Sequence, residues 1–276
     1  MKVGVCLKWV SLRPDVDPLT GVVHTDDRFS GISLADQAAL EWALRMGEAW
    51  DAPVTVASVG PPVTEHALRD ALACGATAAS RVDTTHSLPS RTVAELLATA
   101  LVGSDVIVCG EWSLDRGSAS VPTFLAAITG SAQACGLVGM TLGDAGSFTA
   151  ERRLDGGRRE RLRITAPAVV SVEGSSARLR RAALAGVLSA QTTPISIEPG
   201  PRGGGPTSET RIVRTVPFRP RTRILDAPEG DVRGRANALL GLGSTRTPPQ
   251  RLVLDADAAA DRILAALGDW GELPIE

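Results

Sequence analysis

Between Val3 and Ile128 short apolar runs alternate with stretches of helical period. Val3 to Leu7 is an unbroken apolar run, as a strand buried on both faces requires. A loop with Pro14 and Pro18 follows. Ser33 then precedes Ala35, Ala38, Ala39, Leu40, Trp42, Ala43, Leu44 and Met46, a broad apolar stripe whose start Ser33 or Asp36 can cap. Pro53 to Val59 predicts a second strand, ending in Gly60-Pro61-Pro62. Val63 to Cys74 predicts a helix closed by Gly75. Arg81-Val82 falls in a short strand, Arg91 to Val102 in a helix, Asp105 to Cys109 in a fourth strand and Val121 to Ile128 in a helix. Strands alternating with helices of about 10–15 residues predict βαβ units and a doubly wound, mostly parallel α/β sheet of Rossmann-like type. Ligands of such sheets sit beyond the carboxyl ends of the strands, so Lys8, Gly60 and the loop after Cys109 are expected on one rim.

The pattern then changes. Ser147 to Arg153 and Arg159 to Thr165 alternate and flank Asp155-Gly156-Gly157, which predicts an added β-hairpin. Ala168 to Val172 is an apolar strand entered through Pro167. Ser176 to Gln191 is basic at its start (Arg178, Arg180, Arg181) and apolar later. Pro199 to Pro220 is rich in Pro, Gly, Ser and Thr, has no apolar period and reads as a linker. Beyond it the one clear helix is Ala256 to Leu267, with a loop around Gly241 to Pro249.

Length and composition narrow the class. At 276 residues the chain is one large domain or a domain with an appendage. A core of that size buries roughly 70% of the unfolded surface without disulfide or metal staples. Hydrophobic residues are 43%, charged residues 22%, and the net charge is −2. This excludes global disorder and a nucleic-acid binder with a strong basic field. Aromatics are 3%, with no Tyr, so the core is expected to be Ala, Val, Leu and Ile. Lys2 and Lys8 are the only lysines among 29 basic residues, a bias that a GC-rich genome produces by itself. Cys6, Cys74, Cys109 and Cys135 form no C-x-x-C pair and read as buried small hydrophobes in a reducing compartment. Met1-Lys2 leads straight into the first strand and no 18-residue apolar stretch occurs, so neither a signal peptide nor a membrane span is expected. The expected location is the cytoplasm.

Candidate chemistry is sparse. The first strand has no G-x-G-x-x-G after it, and no G-x-x-x-x-G-K-[ST] occurs. His24, His66 and His86 are too few for metal clusters or His-based triads, and no catalytic or metal-ligating set stands out. One loop is informative: Gly110-Glu111-Trp112-Ser113-Leu114-Asp115-Arg116-Gly117-Ser118-Ala119-Ser120-Val121, between a strand and a helix. Small residues and a helix N-terminus suit a phosphate, and Ser118 and Ser120 can donate hydroxyls. The segment alone reads equally well as an ordinary βα loop.

Around the predicted hairpin the order is Ala150, Arg152, Asp155-Gly156-Gly157, Glu160, Pro167, Val169-Val170 and Ser171. This resembles the signature of the electron-transfer flavoprotein beta subunit family over about twenty positions. The opening K-V-G-V-C-L-K-W-V, Gly60-Pro61, Ala71-Leu72-Ala73-Cys74-Gly75-Ala76 and the Gly110 to Val121 loop extend the similarity over about residues 1 to 198. The resemblance implies a non-catalytic electron-transfer subunit. Its alpha subunit partner holds most of a redox-active FAD, and its own adenine-nucleotide site takes AMP as a structural nucleotide. The implied AMP contacts are Cys6, Ser33, Leu34, Ala35, Asp36, Val59 and the loop from Gly110 to Val121, with Cys6 and Val59 contributing mainly backbone. Ser33 replaces the family's Asn, and Gly117 stands where the family has a second acid.

The implied recognition segment for a flavin dehydrogenase, the electron donor, is Arg180 to Leu188. Leu184 falls at the anchoring leucine, with Arg181 and Val187 beside it; the same leucine also reads as the apolar face of a short helix. The family's lysine-rich run after it is Ser189-Ala190-Gln191-Thr192-Thr193 here. These residues do not identify the dehydrogenase, nor a quinone-linked acceptor, membrane-bound or soluble. The expected organisation is a nucleotide-binding core over 1–198, a linker over 199–222 and a C-terminal arm over 223–276 that docks on the alpha subunit. Two other readings stand beside this one: a stand-alone adenine-nucleotide-binding α/β enzyme, and a bifurcating variant with a second FAD in the AMP site.

Overall fold

The apolar run at the N-terminus becomes a strand buried at every position, β1 (Val3–Cys6), at the middle of the central sheet. The computed structural model describes residues 1–84, 88–201, 228–240 and 251–270. After β1 the chain makes a polar excursion of four short strands: β2 (Trp9–Ser11), β3 (Asp15–Val16), β4 (Val23–His24) and β5 (Ser30–Ile32). These pair as two small sheets, β2 with β5 and β3 with β4. They replace the plain loop expected there.

Helix α1 (Leu34–Trp50) starts at Ser33, whose hydroxyl accepts the Asp36 N–H at 3.1 Å, and packs its Ala, Leu, Met and Trp stripe onto the sheet. The alternation continues with β6 (Val54–Gly60), α2 (Glu65–Cys74), β7 (Ala78–Asp83), α3 (Ser90–Ala100), β8 (Val106–Gly110) and α4 (Val121–Thr129). Gly75 closes α2 in the left-handed conformation, φ 117°, as its position predicted.

Next come β9 (Ala132–Leu142), β10 (Ser147–Arg153), β11 (Arg159–Thr165) and β12 (Ala168–Val172), then α5 (Leu184–Thr192) and β13 (Ile195–Pro199). The nine-stranded sheet runs β11-β10-β9-β12-β8-β1-β6-β7-β13. The strands from β9 to β13 in that order are mutually parallel, and the β10–β11 hairpin adds two antiparallel ladders at one end. The α/β class and the hairpin follow the sequence reading; β9 and β13 do not appear in it.

Each sheet face carries an apolar cluster. One holds Val3, Val5, Leu40, Trp42, Met46 and Leu68 under α1 and α2. The other holds Cys6, Ile107, Cys109, Leu97, Leu125 and Val169 under α3 and α4. Trp42, Trp50 and Phe148 are buried too, so the core is not purely aliphatic. The Trp50 indole N–H meets the Gly143 carbonyl at 3.0 Å, which satisfies its one polar atom. Cys6 and Cys109 are buried, whereas Cys74 and Cys135 are half-exposed, a departure from the expectation that all four are buried.

The chain divides into two compact units, Met1–Phe218 and Arg219–Glu276. The second contains α6 (Val232–Leu239), capped by Asp231, and α7 (Ala256–Asp269), capped by Asp255. Helix α6 is additional to the single helix expected there. Residues 202–222 of the expected linker, the loop around Gly241 to Pro249 and His86 lie outside the described residues. No helix of the described residues is long and apolar enough to cross a membrane.

Candidate functional site

The strand order turns at β1: the chain proceeds outward to β6 and β7, then returns to place β8 on the other side of β1. In doubly wound sheets the crevice at such a switch point is where ligands bind. A cavity of about 360 Å³ opens there. Lys8, Gly60 and the loop after Cys109 all line it, as the topology predicted.

Its floor is made by the ends of β1 and β8, and Gly110 is the point of closest approach. A side chain there would run into the Asp36 carboxylate and the Ala35 backbone of α1, so only glycine fits. Asp36 is 8% exposed, and its carboxylate accepts the Lys8 N–H at 3.0 Å and the Gly110 N–H. Burial raises Asp36 to about 7, against those two donors and the nearby Lys8 charge.

The rim is held across the crevice by Lys8, whose Nζ lies 2.6 and 2.7 Å from the two oxygens of Asp115 and 3.4 Å from the Ser113 hydroxyl. Burial alone would raise Asp115, but Lys8, Ser113 and the Arg116 N–H outweigh it and hold its carboxyl below the ordinary range. The pair is about half exposed, and such a pair contributes at most about 1 kcal/mol. Its consequence is positional: it fixes the loop over the cavity. The loop is further bent at Gly117, φ 61°, where its N–H returns to the Ser113 carbonyl at 2.9 Å, and at Ala119, φ 51°. Arg116 ties it to the Leu88 carbonyl at 2.7 Å.

Ser118 and Ser120 hydroxyls lie 3.0 Å apart at the entry to α4. No side chain caps that helix, so its dipole and the start of its first turn, in which Pro122 carries no N–H, lie at the cavity edge, where Ser120, Val121 and Pro122 line it. Burial, and then the Glu173 charge, push the Glu111 carboxyl up. Among the described residues no three His, Cys, Asp or Glu side chains group as metal ligands.

The cavity brings together Cys6, Asp36, Val59, Gly110, Glu111, Trp112, Ser113, Asp115, Arg116, Ser118, Ala119, Ser120 and Val121. Ser33, Leu34, Ala35, Leu114 and Gly117 do not line it. The Ser33 hydroxyl is engaged in capping α1, and Leu34 is 71% exposed. Sequence reasoning missed a second part of the lining: Thr64, Thr84, Leu88, Ser90, Val93 and Leu97. Ser90 and Val93 follow strand β7 as Ser120 and Val121 follow β8, so the topological rule that located one part also locates the other.

Away from the cavity, Leu184 opens α5 at 74% exposure, with Val187 at 40% and Arg181 exposed. It is therefore not part of a buried helix face. Arg180 is not free for a partner: its guanidinium holds Glu41 at 3.0 Å and pairs with Glu48.

A model of the electron transfer flavoprotein domain matches residues 20–199. Protein FixA of Rhizobium meliloti (strain 1021) is 29% identical over 264 residues, 87% of this chain and 90% of the relative. Protein FixA of Azorhizobium caulinodans is 30% identical over 210 residues, 71% of this chain and 74% of the relative. The mitochondrial electron transfer flavoprotein subunit beta of Arabidopsis thaliana is 29% identical over 202 residues, 71% of this chain and 80% of the relative.

Proposed function

The chain belongs to the electron transfer flavoprotein domain family, and on that premise we propose that it is the beta-type subunit of a heterodimer working in the cytoplasm, with FAD held mainly by an alpha subunit and AMP in its own cavity. The role that membership carries is electron transfer with a flavin in the complex, not turnover of a substrate. The flavin supplies the one-electron chemistry, and this chain supplies binding and orientation.

The observation that carries the reading is the cavity between the ends of β1 and β8, walled by the loop from Gly110 to Val121. Its residues fit an adenine mononucleotide. Cys6 and Val59 offer backbone at the floor, and Gly110 removes the side chain that would obstruct close approach. Ser118, Ser120 and the uncapped start of α4 offer hydroxyls, N–H groups and a favourable dipole to a phosphate. The volume, about 360 Å³, lies at the small end of ligand clefts, about 300–1,000 Å³. That favours AMP over FAD, which has more than twice as many atoms.

In this reading Leu184, with Arg181 and Val187 beside it, is the contact for a flavin dehydrogenase, and residues 223–276 form an arm that docks on the alpha subunit. Co-purification with an alpha-type subunit, followed by release and identification of bound nucleotides, tests the assignment. One FAD and one AMP per pair is the expected result. Two FAD per pair would indicate the bifurcating variant, and a folded, active chain without FAD would indicate a stand-alone enzyme.

A further inference from the structure

Cys6 and Cys109 enter the nucleotide reading only through their neighbourhood, yet they are the two cysteines that the fold buries. Strands β1 and β8 pair in the register Val3↔Val106, Gly4↔Ile107 and Val5↔Val108. The next step along both strands is Cys6 beside Cys109. Residues two apart on a strand share a face, and Cys6, Ile107 and Cys109 lie in the same apolar cluster under α3 and α4. The Cys6 side chain is the largest influence on the Cys109 thiol. Neighbouring strands run about 4.8 Å apart, within the Cα separation of about 4.4–6.8 Å that a disulfide bridges. Both residues also line the cavity. Burial in a strand accounts for one cysteine as a small hydrophobe. Here two lie side by side at the ends of adjacent strands and line one cavity, the arrangement a reversible pair requires.

We propose that Cys6 and Cys109 are a reversible dithiol–disulfide site oxidised by a small hydroperoxide entering the cavity. A water occupies about 30 Å³ in the liquid, so hydrogen peroxide passes easily into a space of about 360 Å³. Cys6, at 9% exposure against 3% for Cys109, is the attacking sulfur. Its sulfur bonds to one peroxide oxygen as the O–O bond breaks. The other oxygen takes the Cys6 proton and leaves as water, and Cys6 carries a sulfenic acid. The Cys109 sulfur then bonds to the Cys6 sulfur as the S–O bond breaks. The departing hydroxide takes the Cys109 proton and leaves as a second water. Two thiols have lost two electrons and two protons, and the peroxide has become two waters. The neighbouring Cys6, and then burial, push the Cys109 thiol up, which makes Cys109 the poorer first nucleophile and leaves the attack on peroxide to Cys6. Two equivalents of a low-molecular-weight thiol reverse the step and leave as their own disulfide.

The test uses the full chain, treated with hydrogen peroxide, denatured, alkylated and digested without reductant. The expected products are a cross-linked pair of peptides carrying Cys6 and Cys109, loss of two of the four alkylatable thiols, and recovery of both with dithiothreitol. Cys6→Ser is expected to give no cross-link and to leave Cys109 alkylatable. The decisive readout is on the unaltered chain, so poor folding of the variant does not affect it. Full alkylation of Cys6 and Cys109 while Cys74 or Cys135 oxidises would overturn the proposal, as would Cys6 halting at a sulfinic acid. A cross-link whose rate added AMP does not slow still supports the redox site and counts only against the nucleotide assignment.

Discussion

Asp36 stands where α1 begins, and two demands meet on it. Its carboxylate joins three segments by accepting the Lys8 and Gly110 N–H groups from the first turn of the helix, yet it is buried. Burial wins, and the pKa rises from 3.8 to about 7. A raised carboxyl means that the folded chain holds a proton the unfolded chain has lost, so the contribution of Asp36 is fullest below about pH 4 and is lost as the pH climbs through about 7. Asp36→Asn keeps the shape and removes the titration. Urea unfolding of both proteins is expected to show the variant gaining on the parent by about 2 kcal/mol between about pH 5 and pH 7. A difference that stays constant with pH would place the titration elsewhere. Lys8 and Asp115, by contrast, are joined at 2.6 Å in half-exposed surroundings and act on loop position more than on stability.

Helix α5 shows how an element divides its residues between packing and display. Gly186 lets it close on α2, because a side chain there would strike the Ala73 carbonyl, and Ala190 is buried. Leu184, Val187 and Leu188 are left outside. Upstream, Arg180 fixes the segment to α1 through Glu41, a carboxylate that burial would raise but that Arg180 and Arg45 hold below its usual range. The two positions therefore separate by experiment. Leu184→Ala is expected to change stability by no more than about 0.5 kcal/mol, leave FAD content unchanged, and slow electron transfer from the dehydrogenase about tenfold or more. Arg180→Ala leaves the buried Glu41 short of a partner and is expected to cost about 1–3 kcal/mol in denaturant unfolding. Equal transfer rates for the parent and Leu184→Ala would remove the recognition assignment.

Elements were legible where local chemistry decides them. The turn at Asp155-Gly156-Gly157 is one case, with φ of 70° and 76° at its two glycines; the Ser33 cap is another. Strand β9 was not, because Ala132–Leu142 contains Gly136 and Gly139 and has no clean alternation; β12 and β10 on its flanks make it a strand. Strand β13 likewise depends on its partner β7. The loop from Gly110 to Val121 could be read in advance because it follows an apolar strand, whereas its tie to Lys8 spans 107 positions of sequence and has no local signal.

At the scale of the molecule, the first unit, Met1–Phe218, carries the whole described sheet, both apolar clusters and the cavity. The described residues of the second, Arg219–Glu276, form two capped helices, neither of which buries a residue. Ile263 and Leu264 on α7 are 60% and 51% exposed. A segment of that size buries too little apolar surface to be stable by itself, and well-formed caps on helices with unburied apolar residues are what a segment completed by another chain requires. This is the argument for docking on the alpha subunit. A chain ending at Phe218, co-expressed with an alpha-type subunit, is expected to keep the parent's far-UV circular dichroism per sheet residue and its cavity nucleotide. It is also expected to lose most of the co-purifying alpha subunit and, with it, the FAD. If alpha subunit and FAD come through at the parent's level, the arm is not the docking element, and the exposed apolar residues of α7 must be covered by something else. If the truncated chain fails to fold, the arm belongs to the core, and the division into a nucleotide-binding unit and a partner-binding unit is wrong.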